Sequence, residues 1–340
     1  MLVLGVESSC DETATAVVRD GQVIASVVAS QVDVHRRWGG VVPELASRAH
    51  LEAFPVVLEE ALAGAGVAPG EIEGIAVTRG PGLAGALLVG LVTAKAFAHA
   101  RGVPVVGVNH VEAHAHAGLA SCGEEYPALV LVVSGGHTDL LLAEGPGRLK
   151  RVGRTLDDAA GEAFDKVAKL LGLGYPGGPA VEAAAREAVG SNVVFPVASP
   201  KGPRRWDFSF SGLKTAVLYH VREHGGLADG GLTDGSATVA ELAAAFQEAV
   251  VRALVGTTLA AAEELGAAAV YCGGGVACNG RLRERLSEEG RRRGLPVHFP
   301  EPWLCTDNAA MIAMLGERML EKGLNDGFEL DADPSLSVGG

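Results

Sequence analysis

Two segments of this 340-residue chain repeat one pattern, and that pattern decides the fold. The first is Leu2-Val-Leu-Gly-Val-Glu-Ser-Ser-Cys-Asp-Glu-Thr13-Ala-Thr-Ala-Val-Val18, and the second is Leu129-Val-Leu-Val-Val-Ser-Gly-Gly-His-Thr138-Asp-Leu-Leu-Leu142. Each combines an apolar strand, a small or polar turn that ends in Thr, and a second apolar strand. Residues 21–28 and 147–152 are placed to add a third strand to each. The repeat predicts two related halves.

A second pair of segments supports the repeat. Gly74-Ile-Ala-Val-Thr-Arg-Gly-Pro-Gly82 corresponds to Ala268-Ala-Val-Tyr-Cys-Gly-Gly-Gly275, each a short buried strand followed by glycines. A helix is predicted after each of them, at about 85–100 and about 279–290. Two halves built in this way indicate a duplicated α/β fold with a cleft between the halves.

This arrangement resembles the actin-like (ribonuclease H-like) fold, which sugar kinases share. The resemblance implies two lobes with a nucleotide and metal cleft between them. We place the N-terminal lobe at residues 1–125 plus about 306–325. The C-terminal lobe then covers 126–305 and carries a helical insertion at about 155–265.

The composition fits a globular α/β protein of the cytoplasm. The chain is 48% hydrophobic and 20% charged, with 47 glycines for tight turns between strands and helices. It opens with an apolar strand that ends in Glu7, unlike a signal peptide, and no apolar run reaches the roughly 20 residues of a membrane span. The five cysteines form no Cys-x-x-Cys pair, which favours a reducing compartment.

Glycine-rich turns at matching positions of the repeat suit a nucleotide. The turn Ser134-Gly-Gly136 leaves backbone N–H groups uncovered, and such groups bind anionic phosphate. The run Gly273-Gly-Gly275 allows close approach of a ring or a ribose and opens a helix N-terminus. Many glycine-rich turns bind no ligand, so the prediction of a nucleotide site depends on the matching positions of these two turns in the repeat.

The segment His110-Val-Glu-Ala-His114 puts two imidazoles one helical turn apart. At that spacing both rings leave the same face of a helix and can share one metal ion. Glu112 points to nearly the opposite side, so it cannot act as the glutamate of a zinc protease does. The alternative, a pair of solvated or core histidines, stays open on these residues alone.

Seven motifs in order give a closer resemblance. They are His-Val-Glu-Ala-His at 110–114, Val-Ser-Gly-Gly-His-Thr at 133–138, Asp-Asp-Ala-Ala-Gly-Glu-Ala-Phe-Asp-Lys at 157–166, Gly-Tyr-Pro-Gly-Gly-Pro at 174–179, Phe-Ser-Phe-Ser-Gly-Leu-Lys-Thr at 208–215, Gly-Gly-Val-Ala-Cys-Asn at 274–279 and Thr-Asp-Asn at 306–308. Together they closely resemble the bacterial tRNA N6-adenosine threonylcarbamoyltransferases, long misnamed sialoglycoprotein endopeptidases. The match runs from Glu7 to Asn308.

The resemblance implies a reaction and a site. The reaction is transfer of threonylcarbamoyl from threonylcarbamoyl-AMP to N6 of the adenosine 3′-adjacent to the anticodon, in tRNAs that read ANN codons. The implied metal ligands are His110, His114 and Asp307; Fe²⁺ is favoured, and Zn²⁺ is also compatible with two nitrogens and a carboxylate. The implied residues for the adenine nucleotide are Val133, Ser134, Gly135, Gly136, His137, Asp165, Gly178, Glu182 and Asn279. At position 182 the family often has aspartate, so that assignment is the loosest.

The amine of adenosine must lose a proton when it attacks the acyl donor. Asp11 and Glu12, on the first turn, are the candidate proton acceptors. For Asp11 the alternative is an Asx-type turn cap, which fits the sequence equally well.

A net charge of −13 argues against a general nucleic-acid binder but allows local basic patches. Candidate tRNA contacts are Lys201, Arg204, Arg205 and Lys214, of which the first three lie in a Pro/Gly-rich loop beside Trp206. The arginines of 281–293 fit a solvated helix face better. The resemblance implies three partners: tRNA, a smaller degenerate relative of the same fold, and an ATPase subunit. No membrane partner is expected.

Three other classes of function remain as alternatives. A kinase or a metal-dependent carbamoyltransferase of the same fold would act on a small molecule. A metallopeptidase fits less well, because Glu112 is displaced and nucleotide loops have no role in proteolysis. An actin-like filament protein would not need the two histidines and the aspartate.

Overall fold

The computed structural model describes residues 1–190, 192–228 and 230–339. The chain divides into two compact units, each containing one five-stranded sheet. Unit 1 comprises Met1–Ser121 and Thr306–Gly340, and unit 2 comprises Cys122–Cys305. The last helix of the chain therefore returns to the N-terminal unit.

Unit 1 contains five strands and five helices within the described ranges. The strands are β1 (Leu2–Glu7), β2 (Glu12–Arg19), β3 (Gln22–Ser30), β4 (Gly74–Gly80) and β5 (Val105–Asn109). The helices are α1 (Val32–Arg36), α2 (Pro43–Ala65), α3 (Ala84–Arg101), α4 (His110–Cys122, whose last residue belongs to unit 2) and, after the whole of unit 2, α11 (Ala309–Glu321).

Unit 2 contains seven strands and six further helices in its described part. The strands are β6 (Ala128–Val133), β7 (Thr138–Gly145), β8 (Arg148–Arg154), β9 (Leu227–Ala228), β10 (Gly231–Leu232), β11 (Ala269–Gly273) and β12 (Val297–His298). The helices are α5 (Ala160–Leu171), α6 (Gly177–Arg186), α7 (Ser211–Glu223), α8 (Val239–Leu265), α9 (Gly280–Arg292) and α10 (Pro302–Cys305). A short 3₁₀ turn, Gly275–Cys278, connects β11 to α9.

The sheets of the two units have the same topology. In unit 1 the strand order is β3-β2-β1-β4-β5, and in unit 2 it is β8-β7-β6-β11-β12. In each sheet the first three strands form an antiparallel meander, and two parallel strands follow beside the innermost one. The predicted duplicated α/β fold of the actin-like class is confirmed.

Burial explains why the innermost strands are apolar. All six residues of β1 and all six of β6 are buried. In unit 1, α11 packs against β1, and helices α2 and α3 also pack on the sheet. A strand covered on both faces has no solvated side, so it forms a continuous apolar run instead of an alternating one.

The helical part of unit 2 has its own apolar core. Phe164 of α5 and Phe246 of α8 are fully buried and meet edge to face, with ring centroids 5.3 Å apart. Helix α8 begins with a capping box, in which the Thr238 hydroxyl accepts from the N–H of Glu241 and the Glu241 carboxylate accepts from the N–H of Thr238. Helix α6 packs on both α5 and α8, so this core fixes the positions of the predicted nucleotide residues Asp165, Gly178 and Glu182.

No helix in the described ranges combines the length and the apolar composition that a membrane span requires.

Candidate metal and nucleotide sites

The two histidines of the first motif lie on α4 of unit 1, which starts where β5 ends. Asn109 caps this junction, since its side-chain oxygen accepts from the N–H of Val111 at 3.0 Å and of Glu112 at 3.2 Å. Because they are four residues apart, His110 and His114 leave the same face of this helix. Their ring centroids are 4.7 Å apart, and the ring planes meet at 86°. Both side chains are buried.

Asp307 completes a three-residue cluster. Its Oδ1 lies 3.0 Å from Nε2 of His114 and 3.5 Å from Nε2 of His110, and the three ligand atoms are within 4.8 Å of one another. Two ligands at 2.0–2.1 Å from one tetrahedral ion are about 3.3 Å apart. The Asp307 oxygen lies near this distance from both imidazole nitrogens, so the three side chains are compatible with ligands of a single ion. The structure brings together all three predicted ligands.

Glu7, at the end of β1, orients His110 by contacting its Nδ1 atom, while the Nε2 atom faces Asp307. Its Oε2 lies 3.0 Å from Nδ1 of His110 and accepts the Thr78 hydroxyl at 2.6 Å. Ser9 Oγ is 3.2 Å from the same Nδ1. A ligand histidine typically donates its other N–H to a carboxylate in this way, which fixes its tautomer and leaves Nε2 for the metal.

The charges of this cluster are interdependent. Burial lowers the pKa of His110, but Glu7 and Asp307 outweigh it, so this pKa lies well above the ordinary value. Burial raises the pKa of Asp307, and the positive charge of His110 more than reverses that effect. The pKa of His114 falls, chiefly because of burial. The opposite shifts of the pKa values of His110 and Asp307 both favour an ion pair between these two side chains.

Two further polar groups lie on the same helix, α4. The Nδ1 atom of His114 is buried without a hydrogen-bond partner in the part of the chain that the structure describes. The Glu112 carboxylate accepts the N–H of Gly339 at 2.7 Å and takes no part in the cluster. The predicted orientation of Glu112, away from the two histidines, agrees with this contact.

The turn between β1 and β2 is acidic. Asp11 is buried, and its carbonyl accepts the N–H of Gln31. Burial raises the pKa of Glu12 well above its usual range, and the neighbouring charge of Asp11 adds to this. Burial likewise raises the pKa of the Cys10 thiol, which is therefore a poor nucleophile at neutral pH. The turn thus contains a carboxyl group that keeps its proton to unusually high pH.

In unit 2 the corresponding turn is built for an anion. The N–H of Ser134 donates to the His137 carbonyl at 2.8 Å, which closes the loop, and the His137 N–H donates to Ser134 Oγ at 3.2 Å. Gly135 and Gly136 are exposed, and within the described residues no hydrogen bond uses their N–H groups. Two free N–H groups at the tip of a rigid loop suit phosphate oxygens.

Two glycines make that loop possible. A Cβ on Gly161 would come within 2.6 Å of the Ser134 carbonyl oxygen, so α5 approaches the loop this closely only because residue 161 lacks a side chain. A Cβ on Gly274 would lie 2.4 Å from the Val133 carbonyl oxygen, and the φ of Gly274 is +87°.

The remaining predicted nucleotide residues lie on α5, α6 and the start of α9. Asp165 accepts the N–H of Gly177 at 2.7 Å and thereby links α5 to α6. Gly178 has open space where a side chain would be. Glu182 accepts the N–H of Gly280 at 3.1 Å, and Asn279 lies beside it, with its Nδ2 atom 3.5 Å from Glu182 Oε2. Glu182 and Asn279 are therefore neighbours.

A cavity of about 600 Å³ opens beside Glu182, and Gln247, Gly280 and Arg281 are among the residues that line it. Asn279 is held at this place by two contacts. Its Oδ1 caps α9 by accepting the N–H of Leu282 at 3.0 Å, and its Nδ2 donates to Gln247 at 2.8 Å. The volume lies within the range of small-ligand pockets.

Comparison with known proteins agrees with this geometry. Residues 22–314 match the TsaD family, described as tRNA N6-adenosine threonylcarbamoyltransferase. The chain is 52% identical over 335 residues to the protein of that name from Geotalea uraniireducens, covering 98% of this chain and 96% of that one. It is 53% identical over 333 residues to the one from Syntrophotalea carbinolica, with 98% and 95% coverage. The chain belongs to this family.

The tRNA N6-adenosine threonylcarbamoyltransferase family was the one that the seven motifs indicated, and that prediction is confirmed, as is the assignment of the chain as a transferase. Solved structures support the fold. HypF of T. kodakarensis has a TM-score of 0.62 at 16% identity and covers 94% of this chain, which spans about half of HypF (48%). The activator of 2-hydroxyisocaproyl-CoA dehydratase from Clostridium difficile has a TM-score of 0.56 at 14% identity, with 96% and 99% coverage.

In this family member, the basic residues predicted for tRNA differ in their surroundings. Lys201 and Arg204 are exposed, and Lys214 is half-buried on α7. Arg205 pairs with Glu264 and stacks over the Trp206 ring at 4.2 Å. The arginines near α9 are largely paired with glutamates, as expected for a solvated helix face; the pairs are Arg281–Glu248, Arg281–Glu284, Arg292–Glu288, Arg292–Glu289 and Arg293–Glu263.

Several residues that shape these sites are not among those predicted from the sequence. Glu7 is one of them, although a carboxylate at the end of a buried apolar strand signals a buried partner. Gly161 and Gln247 gave no such signal, because their roles depend on tertiary contacts with Ser134 and Asn279.

Proposed function

We propose that this chain transfers the threonylcarbamoyl group of threonylcarbamoyl-AMP to N6 of the adenosine 3′-adjacent to the anticodon, in tRNAs that read ANN codons. The observation that carries the proposal is identity of about half the residues, over nearly the full length, to curated transferases of that name. The clustered His110, His114 and Asp307 and the uncovered Ser134–His137 loop supply matching chemistry.

The donor is a carbamoyl-phosphate mixed anhydride, so it already has a good leaving group. The amine nitrogen attacks the carbamoyl carbon, the carbon–oxygen bond to the phosphate breaks, and AMP leaves. The uncovered N–H groups of Gly135 and Gly136 bind the phosphate that becomes the leaving group. Asp165, Gly178, Glu182 and Asn279 hold the ribose and the adenine, with Glu182 the loosest of these assignments.

The attacking amine gives up a proton, and the acidic turn of unit 1 is assigned to receive it. Asp11 and Glu12 are the candidates. Burial and the charge of Asp11 raise the pKa of Glu12, so Glu12 accepts the proton only in its ionised form. The alternative for Asp11, a cap of its own turn, would leave Glu12 as the acceptor.

His110, His114 and Asp307 would hold one divalent ion, for which Fe²⁺ is favoured and Zn²⁺ is also suitable. When bound, the ion supplies Lewis acidity toward oxygen atoms of the donor. Glu7 and Ser9 keep Nε2 of His110 available by binding its Nδ1 atom.

The partners proposed are tRNA, a smaller degenerate relative of the same fold and an ATPase subunit. An apolar stripe on α3 supports docking of the related chain, because Leu88 and Val92, one turn apart, are 47% and 61% exposed. The exposed Lys201 and Arg204, with Arg205 and Lys214, are the proposed contacts to the tRNA backbone.

The proposal is tested by incubating the chain, its two partners and threonylcarbamoyl-AMP with unmodified ANN-decoding tRNA, followed by mass spectrometry of the nucleosides. Threonylcarbamoyladenosine is expected with the wild type. Glu112→Gln should retain the activity, since Glu112 lies outside the cluster. Absence of product from a mixture in which a homologous enzyme succeeds would refute the transferase assignment.

A further inference from the structure

Two of the five cysteines are hydrogen-bond partners, although they are 27 positions apart. Cys278 ends the 3₁₀ turn after β11, and Cys305 ends α10, which packs on that turn. The Cys305 thiol is hydrogen-bonded to Cys278 Sγ. The carbonyls of Pro302 and Pro300 lie 3.5 Å from Cys278 Sγ and 3.7 Å from Cys305 Sγ.

Arg283 holds the pair in a positively charged setting. Its Nη2 atom lies 3.3 Å from Cys305 Sγ and also donates to the Pro300 carbonyl at 3.0 Å. Its Nε atom donates to the Ala277 carbonyl at 2.7 Å, so the guanidinium is anchored on both sides of the thiols. Arg283 also helps to lower the pKa of Cys278 and so favours its thiolate, which is the reactive form.

The two thiols differ in accessibility. Cys278 is half-buried, whereas Cys305 is fully buried. The hydrogen bond from Cys305 lowers the pKa of Cys278 to about 7, and Arg283 adds to this against the effect of burial. An accessible, acidic cysteine beside a second cysteine is the arrangement of redox-sensing thiols.

We propose that Cys278 and Cys305 form a reversible disulfide when the protein meets hydrogen peroxide. The Cys278 thiolate attacks one peroxide oxygen, the O–O bond breaks, and hydroxide leaves, so that Cys278 becomes a sulfenic acid. Cys305 sulfur then attacks Cys278 sulfur, the S–O bond breaks, and water leaves with the thiol proton. Overall two thiols lose two electrons and two protons, and one peroxide becomes two waters.

The disulfide between Cys278 and Cys305 changes the nucleotide site, and this step rests on the proposed function. Closing a disulfide draws the sulfurs to about 2 Å, well inside hydrogen-bond distance, and moves the residues that carry them. Asn279 follows Cys278 directly and is held by Leu282 and Gln247. Oxidation therefore shifts Asn279 and weakens nucleotide binding.

The first test is chemical and independent of activity. The full chain is treated with stoichiometric hydrogen peroxide in a chelator, and its free thiols are counted by alkylation and intact mass. We expect two of the five thiols to be lost and to return with dithiothreitol. Cys278→Ser should keep its remaining thiols, Cys305→Ser should stop at the sulfenic acid, and Cys122→Ser should behave as wild type. Equal thiol loss in wild type and Cys278→Ser would overturn the assignment.

The second test measures ADP affinity of the oxidised and the reduced chain by calorimetry. At least threefold weaker binding is expected after oxidation, with recovery on reduction and no change in peroxide-treated Cys278→Ser. A disulfide that forms while ADP affinity stays constant would overturn the effect on nucleotide binding. Failure of the reduced chain to bind ADP would instead count against the proposed nucleotide site.

Discussion

The two units share a sheet topology but differ in what they place at the ends of their strands. In unit 1 the turn after the first strand is acidic, with Asp11 and Glu12, and β5 leads directly into the histidine helix α4. In unit 2 the equivalent turn is Ser134–His137, and the equivalent last strand, β12, has only two residues. Among the described residues the only metal-type cluster is the one in unit 1.

The difference teaches that buried strands specify the fold, while a few residues at strand ends specify the chemistry. Carboxylates and imidazoles make the end of the sheet in unit 1 suitable for a cation. Glycine N–H groups make the same end in unit 2 suitable for an anion. Changing the strand-end residues of unit 1 should therefore weaken metal binding alone. Changing those of unit 2 should weaken nucleotide binding alone.

Removing a metal ligand should have the largest effect. His114→Ala deletes one of three donors, so stoichiometric iron or zinc binding should be lost, and transfer activity should fall at least about 100-fold. Metal content is measured by elemental analysis and activity by nucleoside mass spectrometry. ADP affinity, compared with that of the metal-free wild type, should not change.

Glu112→Gln is the matched control, because it alters the same helix outside the cluster. It should bind metal as the wild type does. Full metal content in His114→Ala would contradict the assignment of this cluster, and Asp307→Asn would check that result with a variant of unchanged volume.

A change at the nucleotide loop of unit 2 should leave metal binding unchanged. Gly161→Ala puts a Cβ within 2.6 Å of the Ser134 carbonyl oxygen, so the loop must shift. We expect ADP affinity to fall about tenfold and the free energy of unfolding to drop by about 1–3 kcal/mol. Gly212→Ala, on a helix with open space around the position, is the control and should bind ADP normally. Unchanged ADP affinity in Gly161→Ala would separate this loop from nucleotide binding.

The sequence predicted most of the regular structure because the repeat and the apolar runs are local signals. The predicted helix at 85–100 is observed as Ala84–Arg101, and that at 279–290 as Gly280–Arg292, with Asn279 as its cap. The predicted third strands correspond to β3 and β8. Helix ends differ by one or two residues, since capping depends on the neighbouring side chains.

The sites were predicted less completely. The spacing of His110 and His114 predicts their common helix face, whereas Asp307 follows only from the family resemblance, because a contact across 193 positions leaves no periodic trace. The support that Glu7 and Thr78 give to His110, and the contact between Gly161 and Ser134, follow from strand order and helix packing. Those features are set by the tertiary fold and have no local pattern.

The charge of His110 predicts a pH effect confined to unit 1. In the metal-free protein the folded-state pKa of His110 lies above its ordinary value of 6.5. The stability from its ion pairs is therefore fully present below pH 6.5 and is lost as pH rises through the folded-state pKa, by up to about 1.4 kcal/mol per pH unit. Glu7→Gln removes one partner and should flatten this dependence.

The measurement is the free energy of unfolding in a chelator between pH 5.5 and about 9, for the wild type and Glu7→Gln. Their difference isolates His110 from the other titrating groups. Glu73→Gln, an exposed carboxylate in the same unit that accepts the N–H of Leu2, should keep the wild-type pH profile. Identical profiles for the wild type and Glu7→Gln would show that Glu7 does not sustain the charge of His110 in the folded state.

The smallest effect is expected at the surface of unit 2, where exposed basic residues can be compared with ion-paired ones. Replacing Lys201 and Arg204 together by Gln should weaken tRNA binding a few-fold and reduce the salt dependence by about one phosphate contact per residue. Arg292→Gln should change neither, because Arg292 already pairs with Glu288 at 2.7 Å and Glu289 at 2.8 Å. Affinities are measured at several salt concentrations with the partner subunits present. Equal losses in both variants would mean that net charge, and not the exposed loop, sets the affinity for tRNA.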